Sequence, residues 1–155
     1  MEHSWPVQLL ETTDPVRTLD DAKALIAQLA NDELHSTRGC PPILLGVTLS
    51  GEIHYAPLDF QRAKLPFSPQ AIMATAQALD QQHRMAIMGL FLPLAFVSGP
   101  ASSQRVGAYL TMQNAFERQE ALFLLEGKEF TERPSSHIQI DLPNPFTFLK
   151  RRMLA

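Results

Sequence analysis

Residues 85–97 read MAIMGLFLPLAFV, the longest run of this chain without a polar side chain. The run is too short to cross a bilayer, since a spanning helix needs about 20 apolar residues. A strand that is covered on both faces needs no alternation of apolar and polar residues, although a buried helix gives the same pattern. Pro93 disfavours both a fully paired strand and an uninterrupted helix. We therefore expect a buried strand over Met85–Leu92 followed by a bend or bulge, with a buried helix as the alternative.

Length and composition indicate a single globular domain over residues 1–155. The chain has 45% hydrophobic and 19% charged residues, which is typical of folded domains. Its net charge of −3 gives no general attraction to nucleic acid or anionic lipid, and the basic run Lys150–Arg152 is too small to supply one. Cys40 is the single cysteine, and the N-terminal residues lack the apolar core of a signal peptide. We expect a cytoplasmic protein that does not contact membranes.

Helical spacing of apolar residues predicts two helices in the first half of the chain. Residues 1–17 are expected to form an irregular arm. The first helix should begin after Thr18, whose spacing to Asp21 fits a capping box, and end near residue 34. The second should span residues 68–82, because a serine followed by proline is a favourable helix start.

Strand patterns surround these helices. Ile43–Leu49 and Glu52–Pro57 flank Ser50 and Gly51 and predict a β-hairpin. Residues 128–136 are expected to form a polar loop or ragged extension. Three further strands and a short last helix are expected over residues 106–116, 121–125, 137–142 and 144–155. The expected fold is α+β, a mostly antiparallel sheet of about five strands with helices packed on it, in the order α-β-β-α-β-β-β-α.

Glu52 and His54 are the strongest catalytic candidates. Residues two apart on a strand share one face, so both side chains should lie together, with Thr48 near them. A carboxylate beside an imidazole can orient it and raise its pKa, as a general base requires. Asp59 could join them from the following loop. The competing interpretation is an exposed sheet face that only needs polar side chains.

Other chemistry has weaker support. His83 and Arg84 end the predicted second helix and could face a cleft, although capping of the helix carbonyls explains them as well. The five histidines are far apart in sequence, and no cysteine pair exists, so no metal site is expected. The sequence contains no phosphate-binding glycine motif, so no nucleotide cofactor is expected.

Two functions remain open. The first is a small non-enzymatic binding, adaptor or regulatory module that acts through protein–protein contacts, as a homodimer and with another protein as a further partner. It rests on the lack of catalytic motifs and on the expected edge strand over residues 137–142, because an uncovered edge must pair or be protected. The alternative is a small hydrolase or isomerase that uses Glu52 and His54 for acid–base catalysis. Nucleic acid is an unlikely partner on charge.

Overall fold

The apolar run forms the central strand of a seven-stranded antiparallel sheet. A computed structural model describes residues 5–11, 15–37, 40–60, 63–98, 103–133, 145–146 and 148–149. Within these residues the helices are α1 (Leu19–Thr37) and α2 (Pro69–His83). The strands are β1 (Gln8–Leu10), β2 (Ile43–Thr48), β3 (Ile53–Pro57), β4 (Met85–Ser98), β5 (Ser103–Gln113), β6 (Arg118–Glu126) and β7 (Glu129–Arg133).

The sheet has the strand order β1-β3-β2-β4-β5-β6-β7, and every neighbouring pair is antiparallel. The α+β class and the antiparallel sheet are confirmed, but the expected five strands are seven in the described part of the chain. The arm over residues 1–17 contains β1, which pairs with β3 along its whole length. The expected loop over residues 128–136 contains β7, which pairs with β6. The edge strand expected over residues 137–142 lies outside the described residues.

Both faces of the sheet are covered, because α1 packs on one face and α2 on the other. All six residues of β2 are buried. In β4 the adjacent Leu90 and Phe91 belong to opposite faces, and both are fully buried. Over Met85–Leu92 the run is therefore apolar on both faces because its side chains are buried, apart from the half-buried Ala86. The face that carries Thr48 and His54 is not an open polar surface, since both side chains are buried.

Each described helix begins where its capping residue predicts. The Thr18 hydroxyl accepts a hydrogen bond from the Asp21 amide at 3.1 Å, and Asp21 Oδ2 accepts from the Thr18 amide at 3.2 Å. The Ser68 hydroxyl accepts from the Ala71 amide at 3.2 Å. Most of the helix expected over residues 144–155 lies outside the described residues, although Phe146 is buried against the α2 layer. None of the helices in the described segments is long and apolar enough to span a membrane.

Strand β4 continues through Pro93 to Ser98, so the expected bend after Leu92 is wrong. The pairing of β2 with β4 reaches only as far as Phe91, whereas Pro93 pairs with Ala108 of β5. Within the described segments, Pro93 therefore lies where one side of β4 has no neighbouring strand, which is a position that tolerates a missing N–H. The irregularity lies at the other end of β4, where the pairing with β2 skips Ala86.

Gly46 is required by the close packing of β4 against β2. A Cβ atom at residue 46 would lie 2.7 Å from the sulfur of Met85, whose side chain is buried. We expect Gly46→Ala to lower the free energy of unfolding by about 1–3 kcal/mol, because Met85 must move within a packed core. Urea denaturation should show a lower midpoint with an unchanged slope.

A double variant tests the cause of that loss. Met85→Ala removes the side chain that the new Cβ would meet, so Gly46→Ala should cost less in that background than in the native chain. Strictly additive free energies for the two substitutions would contradict a steric clash between residues 46 and 85.

Candidate functional site

The structure joins two candidates that the sequence places far apart. His54 lies on β3, opposite Gly46 of β2 and Leu9 of β1. His83 is the last residue of α2, and its ring stacks on the ring of His54 with centroids 4.2 Å apart and planes at 20°. His54 is 8% exposed, whereas His83 is exposed to solvent. The helix that covers this face of the sheet thus brings the second imidazole to the first.

The surroundings of His54 favour a neutral ring. Its Nε2 is buried and has no hydrogen-bond partner among the described residues. Burial lowers the pKa of His54, and the nearby charge of His83 lowers it further. Glu52 acts in the opposite direction, as the sequence predicts, but does not outweigh burial and His83. A buried imidazole without an acceptor loses the hydration of its charged form, which explains the net direction.

The other predicted catalytic residues take different positions. Glu52 is exposed and follows the hairpin turn, while Asp59 lies beyond β3 and is not among the groups that shift the pKa of His54. The Thr48 hydroxyl accepts from the Glu52 amide at 2.9 Å and is hydrogen-bonded to the Ser50 hydroxyl at 2.9 Å. Thr48 therefore organises the β2–β3 turn.

Arg84 ends α2 and connects it to the hairpin turn. Its backbone has φ of 51°, and its N–H donates to the carbonyl of Asp80 at 2.8 Å. Its own carbonyl accepts from the amide of Leu49 at 3.2 Å. The next amide, that of Met85, donates to Asp80 Oδ1 at 2.9 Å. The predicted capping of α2 at this point is made by backbone atoms of Arg84, and its binding role stays a prediction.

A cleft of about 560 Å³ opens at the end of the sheet where the β2–β3 and β5–β6 turns lie. Leu49 on the first turn is 65% exposed, and Phe116 on the second is 79% exposed. Asn114 Oδ1 accepts from the amides of Phe116 and Glu117, each at 2.8 Å, which fixes the second turn. The cleft is lined by Pro15, Val16, Arg17, Val47, Thr48, Leu49, Ser50, Gly51, Met85, Ala86, Ile87, Asn114, Ala115, Phe116 and Leu149.

Of the predicted site residues, Thr48 lines this cleft, whereas Glu52, His54, Asp59, His83 and Arg84 do not. Sequence reasoning missed Leu49 and Phe116 as site residues, because it assigned both to strands. The sequence offers one signal for both residues, a large apolar side chain next to a turn. Leu49 precedes Ser50 and Gly51, and Phe116 precedes Glu117.

The Cys40 thiol and the Tyr109 hydroxyl are both protonated near neutral pH. Burial raises the pKa of the Cys40 thiol to about 12, and its Sγ donates to the carbonyl of Pro41 at 3.3 Å. Burial and a hydrogen bond to Glu120 raise the pKa of Tyr109 to about 12. Arg118 donates to the Tyr109 hydroxyl at 3.0 Å, so this hydroxyl belongs to a structural network between β5 and β6. Neither group is a nucleophile near neutral pH.

The described residues contain no group of three or more His, Cys, Asp or Glu side chains arranged to hold a metal ion. The rings of His54 and His83 are stacked with nearly parallel planes, so the lone pairs of their nitrogen atoms lie in two separate planes. Two imidazoles that share a cation must instead direct lone pairs at one point. As they stand, these two rings do not form a metal centre.

The pKa of His54 offers a direct test of the charges around it. We expect His54 to titrate below 6.5, and His83→Gln to raise its pKa because a neighbouring positive charge is removed. Glu52→Gln should lower the pKa further. The measurement is a titration of the histidine ring resonances by NMR.

The sign of the stability effect follows from the same direction. The folded protein binds a proton at His54 less readily than the unfolded chain, so the contribution is complete above about pH 6.5 and is lost as the pH falls below it. An unchanged His54 pKa in His83→Gln would contradict the repulsion between the two rings.

Comparison of the chain with models of protein families, with curated proteins and with solved structures gives no match. Function is therefore inferred from the described geometry alone. Two features supply that geometry, the cleft between the two hairpin turns and the stacked pair His54–His83.

Proposed function

We propose that this protein is a non-enzymatic binding module that acts through protein–protein contacts, and that it works as a homodimer. The observation that carries the binding role is the position of Leu49 and Phe116. These are the two most exposed large apolar side chains of the described residues, and both border one cleft. Apolar side chains around a concave surface are typical of sites where proteins dock.

The rigidity of both turns supports this proposal. The β2–β3 turn is held by the Thr48 hydroxyl and by the hydrogen bond from the Gly51 amide to the Thr48 carbonyl at 3.0 Å. The β5–β6 turn is held by Asn114, which bonds two successive amides. Side chains on rigid turns lose less conformational entropy when a partner binds, so more of the contact energy remains as affinity.

The composition of the cleft favours binding over catalysis. Arg17 is the one charged residue among its lining residues, which include no carboxylate, imidazole or thiol. The alternative, an acid–base enzyme, needs Glu52 and His54 beside bound substrate, but neither lines the cleft. We therefore place the docking of a partner's apolar side chain ahead of acid–base chemistry.

The two edges of the described sheet differ, and this difference supports self-association. The edge strand β1 carries no charged residue, and its Leu9 is 53% exposed. The opposite edge, β7, carries exposed Glu129, Glu132 and Arg133, which are residues that protect an edge against pairing. The β1 edge is thus the favoured surface for pairing with a second copy in a closed two-fold dimer.

Paired variants test the cleft. Leu49→Ser with Phe116→Ser should abolish the capture of partner proteins by the immobilised chain, since both apolar contacts at the cleft are lost. Val106→Ser is the control, because Val106 is 52% exposed but does not line the cleft. Quantitative mass spectrometry should show proteins retained by the native chain and by the control but lost from the double variant.

Equal capture of proteins by the native chain, the double variant and the Val106→Ser control would contradict a binding role for the cleft. A loss of folding does not explain a positive result, since substitutions at exposed positions change stability by only about 0.5 kcal/mol. Urea denaturation of each chain checks this point.

Light scattering tests the homodimer. The native chain should have twice the 17.3 kDa mass of one chain, and Leu9→Lys should shift the mass toward the monomer. Thr131→Lys on the β7 edge is the matched control and should leave the mass unchanged. A monomeric mass for the native chain at high concentration would remove the homodimer from the proposal.

A further inference from the structure

A short path of covalent and hydrogen bonds links the stacked histidines to the cleft. His83 stacks on His54, and the next residue, Arg84, accepts the hydrogen bond from the Leu49 amide. Leu49 borders the cleft, and Met85, which follows Arg84, also lines it. Three consecutive residues therefore connect an imidazole ring to one side of the binding surface.

We propose that protonation of the His54–His83 pair loosens the turn that ends α2 and thereby releases the Leu49 amide from the Arg84 carbonyl at one side of the cleft. This regulation rests on the proposed docking function of the cleft. Acidification below neutral pH would then weaken the hold on a partner, and the return to neutral pH would restore it.

The site favours the neutral form of His54 over its charged form. Both rings pack face to face with 4.2 Å between centroids, an arrangement in which two positive charges repel. The Nε2 of His54 is buried and finds no acceptor in the described part of the chain, so a proton placed there gains no hydrogen bond from it. Charging the pair therefore favours separation of the rings, which moves the end of α2 away from the sheet.

The groups around His54 do not offset this effect. Its register partners are Leu9 on β1 and Gly46 on β2, and neither has a charge. From α2 it meets His83, whose charge lowers the pKa of His54. Glu52 on its own strand raises that pKa, but its effect is smaller than those of burial and His83.

Two charged residues lie near His83 in the sequence, Arg84 and Asp80. Arg84, the next residue, is exposed and carries a further positive charge. The Asp80 carboxylate, one turn earlier in α2, accepts the hydrogen bond from the Met85 amide. That bond holds the same turn, so Asp80 belongs to the structure that the protonated pair would strain.

The turn that ends α2 is a suitable place for a local opening. The hydrogen bonds of Arg84 and Met85 to Asp80 and of Leu49 to Arg84 help to hold it. His83 and Arg84 are exposed, and segments with exposed backbone open at a lower free energy than the core of the same protein. The bonds of Thr48 that hold the β2–β3 turn do not involve Arg84, so the turn itself need not unfold when the bond from the Leu49 amide to Arg84 breaks.

Amide hydrogen exchange measured by NMR tests the proposal on the whole chain without a partner. The probe is the Leu49 amide, whose protection is compared at pH 7.5 and pH 5.5 after correction for intrinsic exchange. The internal control is the Phe116 amide on the opposite side of the cleft, which donates to Asn114 and has no link to the histidines. We expect Leu49 protection to fall several-fold at the lower pH and Phe116 protection to stay unchanged.

Two variants identify the responsible groups. His83→Gln removes one charge and supplies an amide oxygen as acceptor, so the drop in Leu49 protection should disappear. His83 is exposed, so we expect this variant to fold as the native chain does. His35→Gln is the matched control, because His35 is an exposed histidine near the end of α1, and it should keep the native response.

Different results would overturn the coupling of the histidines to Leu49 and the docking function of the cleft. Equal Leu49 protection at both pH values overturns the coupling, and so does a drop that persists in His83→Gln. A drop of the same size at Phe116 would indicate general loosening in acid and also overturns it. Partner capture at pH 7.5 is a separate measurement, so an uncoupled Leu49 with intact capture defeats this inference alone. Failed capture with a responsive Leu49 defeats the docking function.

Discussion

The burial of β2 and of the Met85–Leu92 part of β4 on both faces is the constraint on which the other features depend. This part of the sheet supports α1 through one set of side chains and α2 through the alternate set. The helices lie on opposite faces of these shared strands. A polar residue on either strand or on β3 is consequently placed under a helix, and this is why His54 is buried despite its polarity.

The sequence predicts the parts of the fold that produce a repeated local signal. The apolar run at Met85, the hairpin around Gly51 and the Thr18 cap each combine a periodic pattern with a specific terminating residue. Strand β1 is too short for a period to be visible, and β7 carries charges because it lies at an edge. Neither strand differs locally from a loop, and only pairing with a neighbour defines it.

The site was predictable to the same extent. Alternation along a strand correctly places His54 on the face opposite Ile53, but it does not reveal what covers that face. The stacking of His83 on His54 depends on how α2 packs on the sheet, and this long-range packing leaves no pattern in the sequence. Leu49 and Phe116 were missed because one apolar residue beside a turn resembles the end of a strand. The feature that distinguishes Leu49 and Phe116 is that both border one cleft, which only the folded structure shows.

The strand order has a consequence for folding kinetics. Strands β4 to β7 pair with their sequence neighbours, as do β2 and β3, so each group can form from local contacts. The pairing of β2 with β4 places Ile43 opposite Phe91 and must close the whole segment that contains α2. Such non-local pairing is slow because chain entropy is lost before the contacts form. Lengthening the connector between β3 and α2 would therefore slow folding while leaving the unfolding rate nearly unchanged.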